Sequence, residues 1–271
     1  MKVLKNVCMA DYCSFKTGKN AAFLLIPDSE AEIIEAVDFA NKNSLPHMIM
    51  GNGSNLLFAG DYPGVVIKPR SESISKIARD AASKGLAGLE FAAGIPGSLG
   101  GAVYMNAGAY GGEMGKVLKT VTSLDERGNI NVRKSEDCGF SYRKSIFMTN
   151  NEIIIAADFE LYHDDPAEIK SRMDELNRQR AEKQPLNYPS AGSFFKRPEG
   201  YFAGKLIQDA GLKGLAVGGA QVSDLHAGFV INRNNATPED IIDLMRIVQE
   251  TVFDKFGVKL EPEVRIIGLQ S

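Results

Sequence analysis

The sequence predicts an α+β fold. Three observations support this expectation. Residues 21–67 alternate between strand-like and helix-like patterns, residues 117–161 are strand-like, and residues 237–256 place apolar side chains at helical spacing. The chain has 271 residues, so at roughly 150 residues per domain we expect about two domains.

The composition is that of a globular protein and excludes several classes. Hydrophobic residues make up 44% of the chain and charged residues 24%, which excludes a disordered chain and a coiled coil. The net charge is −3, so nucleic acid is not an expected partner. Apolar runs such as Ala21–Ile26 are far shorter than the roughly 20 residues of a membrane helix. The N-terminus lacks the apolar region of a signal peptide, so no membrane association is expected.

The cysteines and histidines are too few and too scattered for a structural role as ligands or crosslinks. Cys8, Cys13 and Cys138 form neither a disulfide framework nor a zinc motif, and the three histidines lie far apart. We therefore expect no metal site and a reduced, cytoplasmic protein.

The first part of the chain predicts a strand, a helix and further strands. Ala21–Ile26 is a candidate buried strand, and Ser29 followed by Glu32 forms a capping-box pattern that opens a helix. The next expected elements are strands at His47–Met50 and Val65–Lys68 and a helix near Ser75–Lys84.

Residues 51–55, with the sequence GNGSN, follow a predicted strand. Small residues there expose successive backbone N–H groups, which suits a pyrophosphate. The motif is not GxGxxG, and no acidic residue follows at the spacing of a Rossmann fold. A plain tight turn is the alternative interpretation.

Residues 85–112 contain nine glycines in 28 residues. The stretch is too apolar for a linker and too rich in glycine for a regular element, which indicates a buried backbone close to a ligand. Within it, residues 94–102 (GIPGSLGGA) repeat the pattern of small residues and a hydroxyl. Two such loops favour a dinucleotide, whereas close packing of two chain crossings is the alternative.

The second half of the chain predicts strands, then two long helices. A turn is expected at Asp125–Asn129 and a strand at Ile153–Ala157. Composition shifts at Asp165-Pro166, where a charged helix begins that runs to about Lys183, and residue 165 is the expected domain boundary. The remaining predicted elements are a helix from the Thr237 N-cap to Gly257 and a strand at Glu263–Ile267.

Two polar clusters carry candidate functional groups. Residues 142–145 (YRKS) form one, for which a solvated surface turn is the alternative. Ser193 lies between a glycine and two phenylalanines, so we expect a shielded hydroxyl. Since the motif is not GxSxG and no paired base is close in sequence, a proton-donor or hydrogen-bonding role suits Ser193 better than a nucleophilic one.

Two further features have simple structural alternatives. Glu261 and Glu263 are alternate residues that share one face if they lie in a regular strand. An exposed edge strand protected by charge is the alternative. His226 lies in an apolar context and is expected to be a core histidine.

Six motifs follow one another along nearly the whole chain. They are GNGSNLLF, GLEFAAGIPGSLGGAVYMNAGAYGGE, FSYRKSIF, KQPLNYPSAGSFFKRPEGYFAGKLIQDAGLKG, GGAQVSDLHAGFVIN and LEPEVRIIG. In this order they resemble the UDP-N-acetylenolpyruvoylglucosamine reductase family, flavoenzymes of peptidoglycan precursor synthesis. The compact PLNYPSAGSFFKRP region is similar to the shorter class of the family.

The resemblance implies a fold and a domain organisation. The fold would be α+β, with a two-part FAD-binding domain of the vanillyl-alcohol-oxidase/PCMH type and a C-terminal α+β substrate domain. The implied parts are residues 1–68 and 69–164 for the two FAD-binding subdomains, 165–262 for the substrate domain, and 263–271 for a C-terminal strand that returns to the active site.

The resemblance also implies residue roles. Arg143, Ser193 and Glu263 would be catalytic, matching the YR-x-S, GS-x-F and LE-x-EV motifs. Substrate-binding residues would be Tyr142, Lys183 and Lys196. The implied FAD-binding residues are Gly51, Asn52, Gly53, Ser54, Asn55, Gly94, Ile95, Ser98, Gly100, Gly101, Ala102, Asn106, Gly108 and Ala109.

The implied reaction is the NADPH-dependent reduction of UDP-N-acetylenolpyruvoylglucosamine to UDP-N-acetylmuramate through non-covalently bound FAD. Arg143 would stabilise the enolate, Ser193 would protonate C2, and Glu263 would act beside Arg143. A cytoplasmic monomer is implied. The alternatives are a flavin-free nucleotide-sugar binding protein and another FAD-dependent oxidoreductase on the same scaffold, such as a small-alcohol oxidase. No histidine lies in the proposed FAD loops to tether the flavin.

The sequence departs from the family pattern at two places. The usual TTF-x-x-GG start reads CSFKTGK over residues 13–19. Relatives also carry roughly twenty more residues, including a GAG turn, between the strand at Val65–Lys68 and the next helix. Either the chain has lost a strand beside the flavin, or a stretch of the protein is missing from this sequence. Because every catalytic position remains, we favour the second explanation.

Overall fold

The computed structural model describes residues 1–269. Its helices are α1 (Glu30–Lys42), α2 (Ile74–Ser83), α3 (Leu99–Tyr104), α4 (Pro166–Lys183), α5 (Ala203–Asp209) and α6 (Pro238–Phe256). Its strands are β1 (Lys2–Cys8), β2 (Asn20–Ile26), β3 (His47–Ile49), β4 (Leu56–Phe58), β5 (Tyr62–Ile67), β6 (Leu86–Ala87), β7 (Gly108–Ala109), β8 (Gly112–Glu113), β9 (Leu118–Leu124), β10 (Ile130–Lys134), β11 (Ile153–Phe159), β12 (Tyr162–His163), β13 (Ser190–Ser193), β14 (Ala216–Val217), β15 (Ala220–Val222), β16 (Phe229–Asn232) and β17 (Arg265–Ile267).

The chain divides into two compact units, each assembled from separate stretches of sequence. The first unit contains Met1–Val3, Leu25–Asn52 and Val66–Arg180. The second contains Leu4–Leu24, Gly53–Val65 and the chain from Ala181 onward. The division near Arg180 lies fifteen residues beyond the expected boundary at 165, within α4. The four-part functional division of the chain stays a prediction.

The N-terminal third builds a four-stranded sheet in the order β1-β2-β5-β3. Helix α1 begins where predicted, because the Ser29 hydroxyl accepts a hydrogen bond from the Glu32 N–H at 3.3 Å. The reciprocal bond of a capping box is displaced by one residue, since the Glu32 carboxylate accepts from the Asp28 N–H at 2.7 Å. The unit boundary falls within β1, β2 and β5.

The core of the first unit lies among α2, α3 and the strand-rich middle of the chain. Strands β10, β9 and β11 form an antiparallel sheet in that order, with Leu124 opposite both Ile130 and Ile153. The turn that joins β9 to β10 is held by the Asp125 carboxylate, which accepts from two backbone N–H groups. The predicted hairpin is therefore confirmed.

The core of the second unit packs α5 and α6 on the sheet β13-β16-β15-β14. Helix α6 starts with the predicted Thr237 cap, and Asp240 completes a reciprocal capping box. Gly257 ends the helix with a φ of +68°. Strand β17 pairs in parallel with β4 in the same unit, with Arg265 opposite Leu56.

Two local expectations are corrected. The glycine-dense stretch does hold regular structure, because Ser98 caps the short helix α3, which contains Gly100 and Gly101, by accepting from the Gly101 N–H. The final strand begins at Arg265 and not at Glu263, since Glu263 instead bonds to Phe194. Residues 68–73 join β5 directly to α2, with Lys68 donating to the Leu25 carbonyl at 2.8 Å.

Across residues 1–269, none of the helices combines the length and apolar character needed to cross a bilayer.

Candidate functional site

The two glycine-rich loops of the sequence meet within the first unit. A Cβ atom placed on Gly51 would lie 2.1 Å from the Ser98 hydroxyl oxygen, which is closer than any real contact. The Asn52 side chain also donates toward the Pro96 carbonyl at 3.5 Å. Gly51 therefore packs directly against the Ser98 side chain, where a residue with a side chain would overlap it. This contact agrees with close packing of the two loops, and their role as a ligand cradle stays a prediction.

Ser98 organises the second loop. Its hydroxyl accepts from the Gly101 N–H at 3.3 Å and caps α3. The Ala102 side chain is buried in the core, so only its backbone could face a ligand. Ile95 is held by a bond from its N–H to the Ala92 carbonyl at 3.0 Å.

The second half of the GNGSN loop is tied to the C-terminal segment in the second unit. Gly53 has a φ of +65°, and a Cβ there would lie 2.1 Å from the Tyr12 carbonyl oxygen. The Asn55 amide donates to the Glu263 carbonyl at 3.1 Å, and the Arg265 N–H donates to the Asn55 carbonyl at 3.1 Å. Ser54 lies in the turn between them.

A tight hairpin follows α3 in the first unit. Strands β7 and β8 pair so that Gly108 lies opposite Glu113. The two residues at its tip, Tyr110 and Gly111, both have positive φ values of +52° and +84°, as a two-residue hairpin turn requires. Gly108 and Ala109 are thus presented on a short, tightly turned strand pair.

Asn106 fixes the entry to this hairpin. Its side chain is 1% exposed, donates to the Ser141 carbonyl at 3.0 Å and accepts from the Gly115 N–H at 2.8 Å. These bonds join the hairpin to the turn that carries Arg143. The structure therefore gives Asn106 a structural role, and its contact with a cofactor stays a prediction.

Arg143 lies at the tip of a tight turn closed by Ser141 and Lys144. It has a φ of +53°, an uncommon conformation for a residue with a side chain. The guanidinium donates to the Gly108 carbonyl at 3.3 Å and lies 5.1 Å from the ring centroid of Tyr142. Tyr142 itself is exposed, whereas Arg143 is half-buried against the hairpin.

Ser193 ends β13 in the second unit and is exposed, contrary to the expectation of a shielded hydroxyl. The pairing with β16 is irregular between Ser190 and Ser193, where Gly192 has a φ of +77°. This irregularity directs Phe194 into the core, where it is fully buried, and leaves Ser193 on the surface of the unit.

The C-terminal segment brings Glu263 beside Ser193 within the second unit. The Glu263 N–H donates to the Phe194 carbonyl at 2.8 Å. The Lys196 N–H donates to the Glu261 carbonyl at 2.8 Å, and the Lys196 ammonium lies 3.0 Å from the Glu261 carboxylate. Two motifs about 70 residues apart thus converge, and the two glutamates have different surroundings.

Lys183 is the exposed last residue of α4. Just beyond it, a cavity of about 360 Å³ is lined by residues that include Gln184, Leu186, Tyr188 and Arg233. Arg233 lies 5.7 Å from the Tyr188 ring centroid. This cavity gives the second unit a concave surface next to a predicted substrate residue.

Sequence reasoning missed Arg180. Its side chain contacts Gly94, because a Cβ on Gly94 would lie 3.0 Å from the Arg180 Cδ. Burial lowers the pKa of the Arg180 guanidinium, an effect opposed by Tyr110. No motif marks this arginine in the sequence, since it is one of several charged residues on α4.

Cys13 and His226 are the other reactive side chains considered for the site, and both are held within the fold. Burial raises the pKa of the Cys13 thiol to about 12, so Cys13 is inert at neutral pH. His226 accepts from the Gly228 N–H at 3.0 Å and packs on Phe229, and burial lowers its pKa. Residues 1–269 contain no group of three or more histidine, cysteine or acidic side chains that could hold a metal.

The contact between two glycine-rich loops is typical of the class of nucleotide-cofactor proteins, and comparison with known families makes that class specific. Residues 21–80 match the family model described as FAD binding domain. Residues 184–267 match the model described as UDP-N-acetylenolpyruvoylglucosamine reductase, C-terminal domain.

Known proteins match along the whole chain. A UDP-N-acetylenolpyruvoylglucosamine reductase of Clostridium novyi is 46% identical, with 100% of this chain and 94% of the relative covered. The reductase of Lactiplantibacillus plantarum is 45% identical over 99% of this chain and 94% of its own length. A crystal structure of the Thermus caldophilus reductase is similar with a TM-score of 0.86 at 35% identity, covering 98% of this chain and 99% of that one.

This chain belongs to the UDP-N-acetylenolpyruvoylglucosamine reductase family. The predicted family and the predicted fold class are both confirmed. The alignment with the Clostridium novyi protein is 287 residues long, against 271 in this chain, so that relative has residues with no counterpart here. This difference in length agrees with the expectation that relatives carry additional residues. That these residues follow the strand at Val65–Lys68, and why this chain lacks them, stay predictions.

Proposed function

We propose that this protein catalyses the NADPH-dependent reduction of UDP-N-acetylenolpyruvoylglucosamine to UDP-N-acetylmuramate in peptidoglycan precursor synthesis. The observation that carries the proposal is the match of the whole chain to this family, together with the contact of the two glycine-rich loops at Gly51 and Ser98. FAD is the cofactor, and when bound it supplies the hydride chemistry that links NADPH to the enol ether.

The residues present fit FAD. A Cβ on Gly51 would overlap the Ser98 hydroxyl, and a Cβ on Gly94 would crowd the side chains of Asn177 and Arg180. Glycine at these positions lets a ligand approach the loop backbone closely. Backbone N–H groups in such loops suit a diphosphate. The residues proposed to hold FAD are those of the GNGSN loop (51–55), the GIPGSLGGA loop (94–102) and the hairpin at Gly108 and Ala109.

Arg143 is proposed to hold the negative charge that develops on the substrate carboxylate. A guanidinium stays protonated through the reaction and can bind a carboxylate in a fixed geometry. The tight turn and the bond to Gly108 support this role, because they hold the guanidinium in place before substrate binds. Such preorganised charge is typically the largest catalytic contribution.

Ser193 is proposed to donate the proton to C2 of the substrate. Its exposure supports this role, since a hydroxyl on the surface of the unit can reach a ligand. A serine is a weak acid, but an enolate carbon is a strong base, so the transfer needs chiefly good positioning.

Glu263 is proposed to help hold the enolate geometry. Its backbone is bonded to both Phe194 and Asn55, which restricts its position. Tyr142, Lys183 and Lys196 are proposed to bind the nucleotide-sugar part of the substrate.

We further propose that the protein is a cytoplasmic monomer. Its product would serve cell-wall growth, cell shape and cell division.

The visible spectrum of the purified protein tests the proposal. We expect a yellow protein with flavin absorbance bands, release of the flavin by heat, and oxidation of NADPH that depends on the enolpyruvyl substrate. A colourless protein that fails to take up added FAD would instead indicate a flavin-free nucleotide-sugar binding protein. Flavin reduction without substrate turnover would indicate another oxidoreductase on the same scaffold.

The Gly51→Ala variant tests the FAD cradle itself. The new methyl group would overlap the Ser98 hydroxyl, and overpacking of this kind costs roughly 1–3 kcal/mol. We expect the Kd for FAD, measured by fluorescence titration, to rise about 10-fold or more. The double variant Gly51→Ala with Ser98→Gly removes the overlapping atoms and should recover much of the affinity. Unchanged FAD affinity in Gly51→Ala would exclude this loop contact from the cofactor site.

A further inference from the structure

The imidazole of His226 is held in one orientation by its surroundings in the second unit. The Gly228 N–H donates to the His226 Nδ1 at 3.0 Å. A Cβ on Gly228 would lie 2.9 Å from the His226 Cε1, and a Cβ on Gly204 would lie 3.1 Å from the same atom. The ring also meets Phe229 edge-on, with centroids 5.1 Å apart. The edge of the ring that carries Nδ1 and Cε1 is therefore packed against two glycines.

The hydrogen bond from Gly228 fixes the tautomer of His226. A backbone N–H can only donate, so the Nδ1 that accepts from it carries no proton, and the proton of the neutral ring lies on Nε2. Burial lowers the pKa of His226, and the positive charge of Lys213 lowers it further, so the ring is neutral at pH 7. His226 therefore presents an uncharged N–H donor rather than an imidazolium.

The Nε2–H of His226 makes no hydrogen bond within the part of the chain that the structure describes. The bond that Nδ1 accepts is the one hydrogen bond of this side chain in residues 1–269. Asp224, the acidic residue of the same loop, pairs with Arg233 at 3.1 Å instead. Because the His226 side chain is half-buried, its donor can be reached by a ligand at the surface of the unit.

A line of backbone hydrogen bonds joins His226 to two of the proposed reacting groups. The Glu263 N–H donates to the Phe194 carbonyl at 2.8 Å, and the Phe194 N–H donates to the Gly228 carbonyl at 2.8 Å. Ser193 ends β13, and the loop that carries His226 leads directly into β16, which pairs antiparallel with β13. The backbones of Ser193, His226 and Glu263 therefore meet at one end of the sheet.

The chemistry at this end of the sheet suits an anion. Lys213 contributes positive charge at the His226 ring, and hydrogen bonds from N–H groups to ionised acceptors are stronger than those between neutral groups. The proposed substrate carries two kinds of oxyanion, the enolpyruvyl carboxylate and the diphosphate. A donor whose orientation is set before the substrate binds stabilises such an oxyanion without the cost of ordering a side chain.

We propose that the Nε2–H of His226 donates a hydrogen bond to an oxyanion of the enolpyruvyl substrate beside Ser193, with Gly228 setting the orientation of the ring. The inference rests on the proposed function, since it requires this substrate. The two oxyanions differ in when they hold charge. The diphosphate is equally charged before and during the reaction, whereas the carboxylate gains charge as the enolate forms.

Two substitutions separate the roles of the two ring nitrogens. His226→Asn places an amide oxygen where Nδ1 lies, so it keeps an acceptor for the Gly228 N–H and loses the Nε2 donor. His226→Gln places an amide nitrogen at the distance of Nε2, so it keeps the donor and loses the acceptor. We expect His226→Asn to lower the efficiency of flavin reoxidation by the substrate about 10-fold or more, the scale of a lost hydrogen bond to a charged group. His226→Gln should lie closer to the wild type.

His163→Asn is the matched control, because it makes the same substitution at an exposed histidine of β12 in the first unit. It should leave reoxidation by the substrate unchanged. Titration with FAD should give the same Kd in all three variants and the wild type, since neither histidine lies in the proposed FAD loops.

Stopped-flow reoxidation of the reduced holoenzyme over a range of substrate concentrations separates the two oxyanions. In His226→Asn, a raised half-saturation concentration at an unchanged limiting rate supports the proposal with the diphosphate as acceptor. A lowered limiting rate supports it with the carboxylate as acceptor, because the lost bond then strengthens as the enolate forms.

The reverse order of the variants, with His226→Gln impaired and His226→Asn like the wild type, would leave only the structural bond to Gly228 and overturn the proposal. Kinetics that are the same in the two variants, impaired or not, would also overturn it. Failure of the enolpyruvyl substrate to reoxidise the reduced wild-type protein would overturn the proposed function instead, so the two failures can be distinguished.

Discussion

Arg143 has a φ of +53°, and a left-handed conformation costs an ordinary residue about 1–2 kcal/mol. Asn106 and Tyr110 share this feature, with φ values of +42° and +52°. The three residues are joined by the bonds of Asn106 to Ser141 and of Arg143 to Gly108. Such strained residues are typical of functional sites, where the surrounding structure holds them in place.

Ser193→Ala tests the proton-donor role. The hydroxyl is exposed and lies outside the core, so its loss should leave folding unchanged. We expect NADPH to reduce the bound FAD at the normal rate. Reoxidation by the enolpyruvyl substrate should slow about 10²-fold or more, the scale of a lost general acid. Stopped-flow absorbance measures both half-reactions, and equal slowing of the two would assign Ser193 to cofactor binding.

Glu263→Gln tests the C-terminal carboxylate. The substitution keeps the shape of the side chain and the backbone bond to Phe194. We expect flavin reduction to be nearly unchanged and reoxidation by substrate to fall about 10²-fold or more.

Glu261→Gln is the matched control for Glu263→Gln. The Glu261 side chain forms an exposed ion pair with Lys196 at 3.0 Å, and such pairs contribute about 0–1 kcal/mol. Glu261→Gln should therefore reduce and reoxidise the flavin at rates near those of the wild type. The reverse pattern, with Glu261→Gln impaired and Glu263→Gln silent, would mean that the final motif is displaced by two residues. If neither variant slows, the segment is only structural.

At the scale of elements, α6 is anchored by its first turn. The Asp240 carboxylate accepts from the Gly219 N–H at 3.0 Å and from the Thr237 N–H at 2.9 Å. These two bonds lower the pKa of Asp240, and the bond from Gly219 has the larger effect. The helix start is thereby joined to the turn before β15, which belongs to the sheet that carries Ser193.

Asp240→Asn tests this anchor through pH. Because the folded state lowers the pKa of Asp240, the stabilisation is fully present above the unfolded pKa of about 3.9 and is lost as pH falls from there through the lower folded-state pKa. We expect the variant to lose about 1–2 kcal/mol of unfolding free energy at pH 7, and the difference from wild type to shrink near pH 3. Urea unfolding at both pH values measures it.

Thr237→Ala is the comparison for Asp240→Asn. It removes a neutral cap whose side chain makes the smallest of the contributions that lower the pKa of Asp240, so its loss of about 1 kcal/mol should vary less with pH. If the two variants showed the same pH dependence, the carboxylate would not be the source of the effect.

At the scale of the whole molecule, each compact unit draws on stretches far apart in the chain. The segments 4–24 and 53–65 join the unit that continues from Ala181, while 25–52 and 66–180 form the other. Residues 21–80, which match the FAD binding domain model, include segments of both compact units. A cut at one point of the sequence therefore cannot separate one unit intact.

Cofactor binding should stabilise the whole protein. A ligand that binds only the folded state adds about 2.7 kcal/mol at a free concentration of 100 times Kd. We expect Tm to rise with added FAD, as measured by scanning calorimetry of the apoprotein. Gly51→Ala should need a higher FAD concentration for the same rise. A Tm independent of FAD, in a protein that visibly binds it, would mean that the unfolded chain binds FAD equally well.

Much of the fold could be predicted because local signals are strong. The Ser29 and Thr237 caps, the hairpin at Asp125 and the helix stop at Gly257 all act within a few residues, so the sequence alone locates them. The short helix α3 was missed since two glycines disfavour helix, and the Ser98 cap with core packing outweighs that propensity.

The sequence by itself determined the family, the cofactor and the ordered motifs, because residue types at fixed spacing carry that information. Only the tertiary structure decided which groups meet. It placed Gly51 against Ser98, Glu263 beside Phe194, and Arg180 against Gly94. It also exposed Ser193, whose position between a glycine and two phenylalanines had predicted a shielded hydroxyl. Contacts between residues distant in sequence depend on packing and register, which no local pattern encodes.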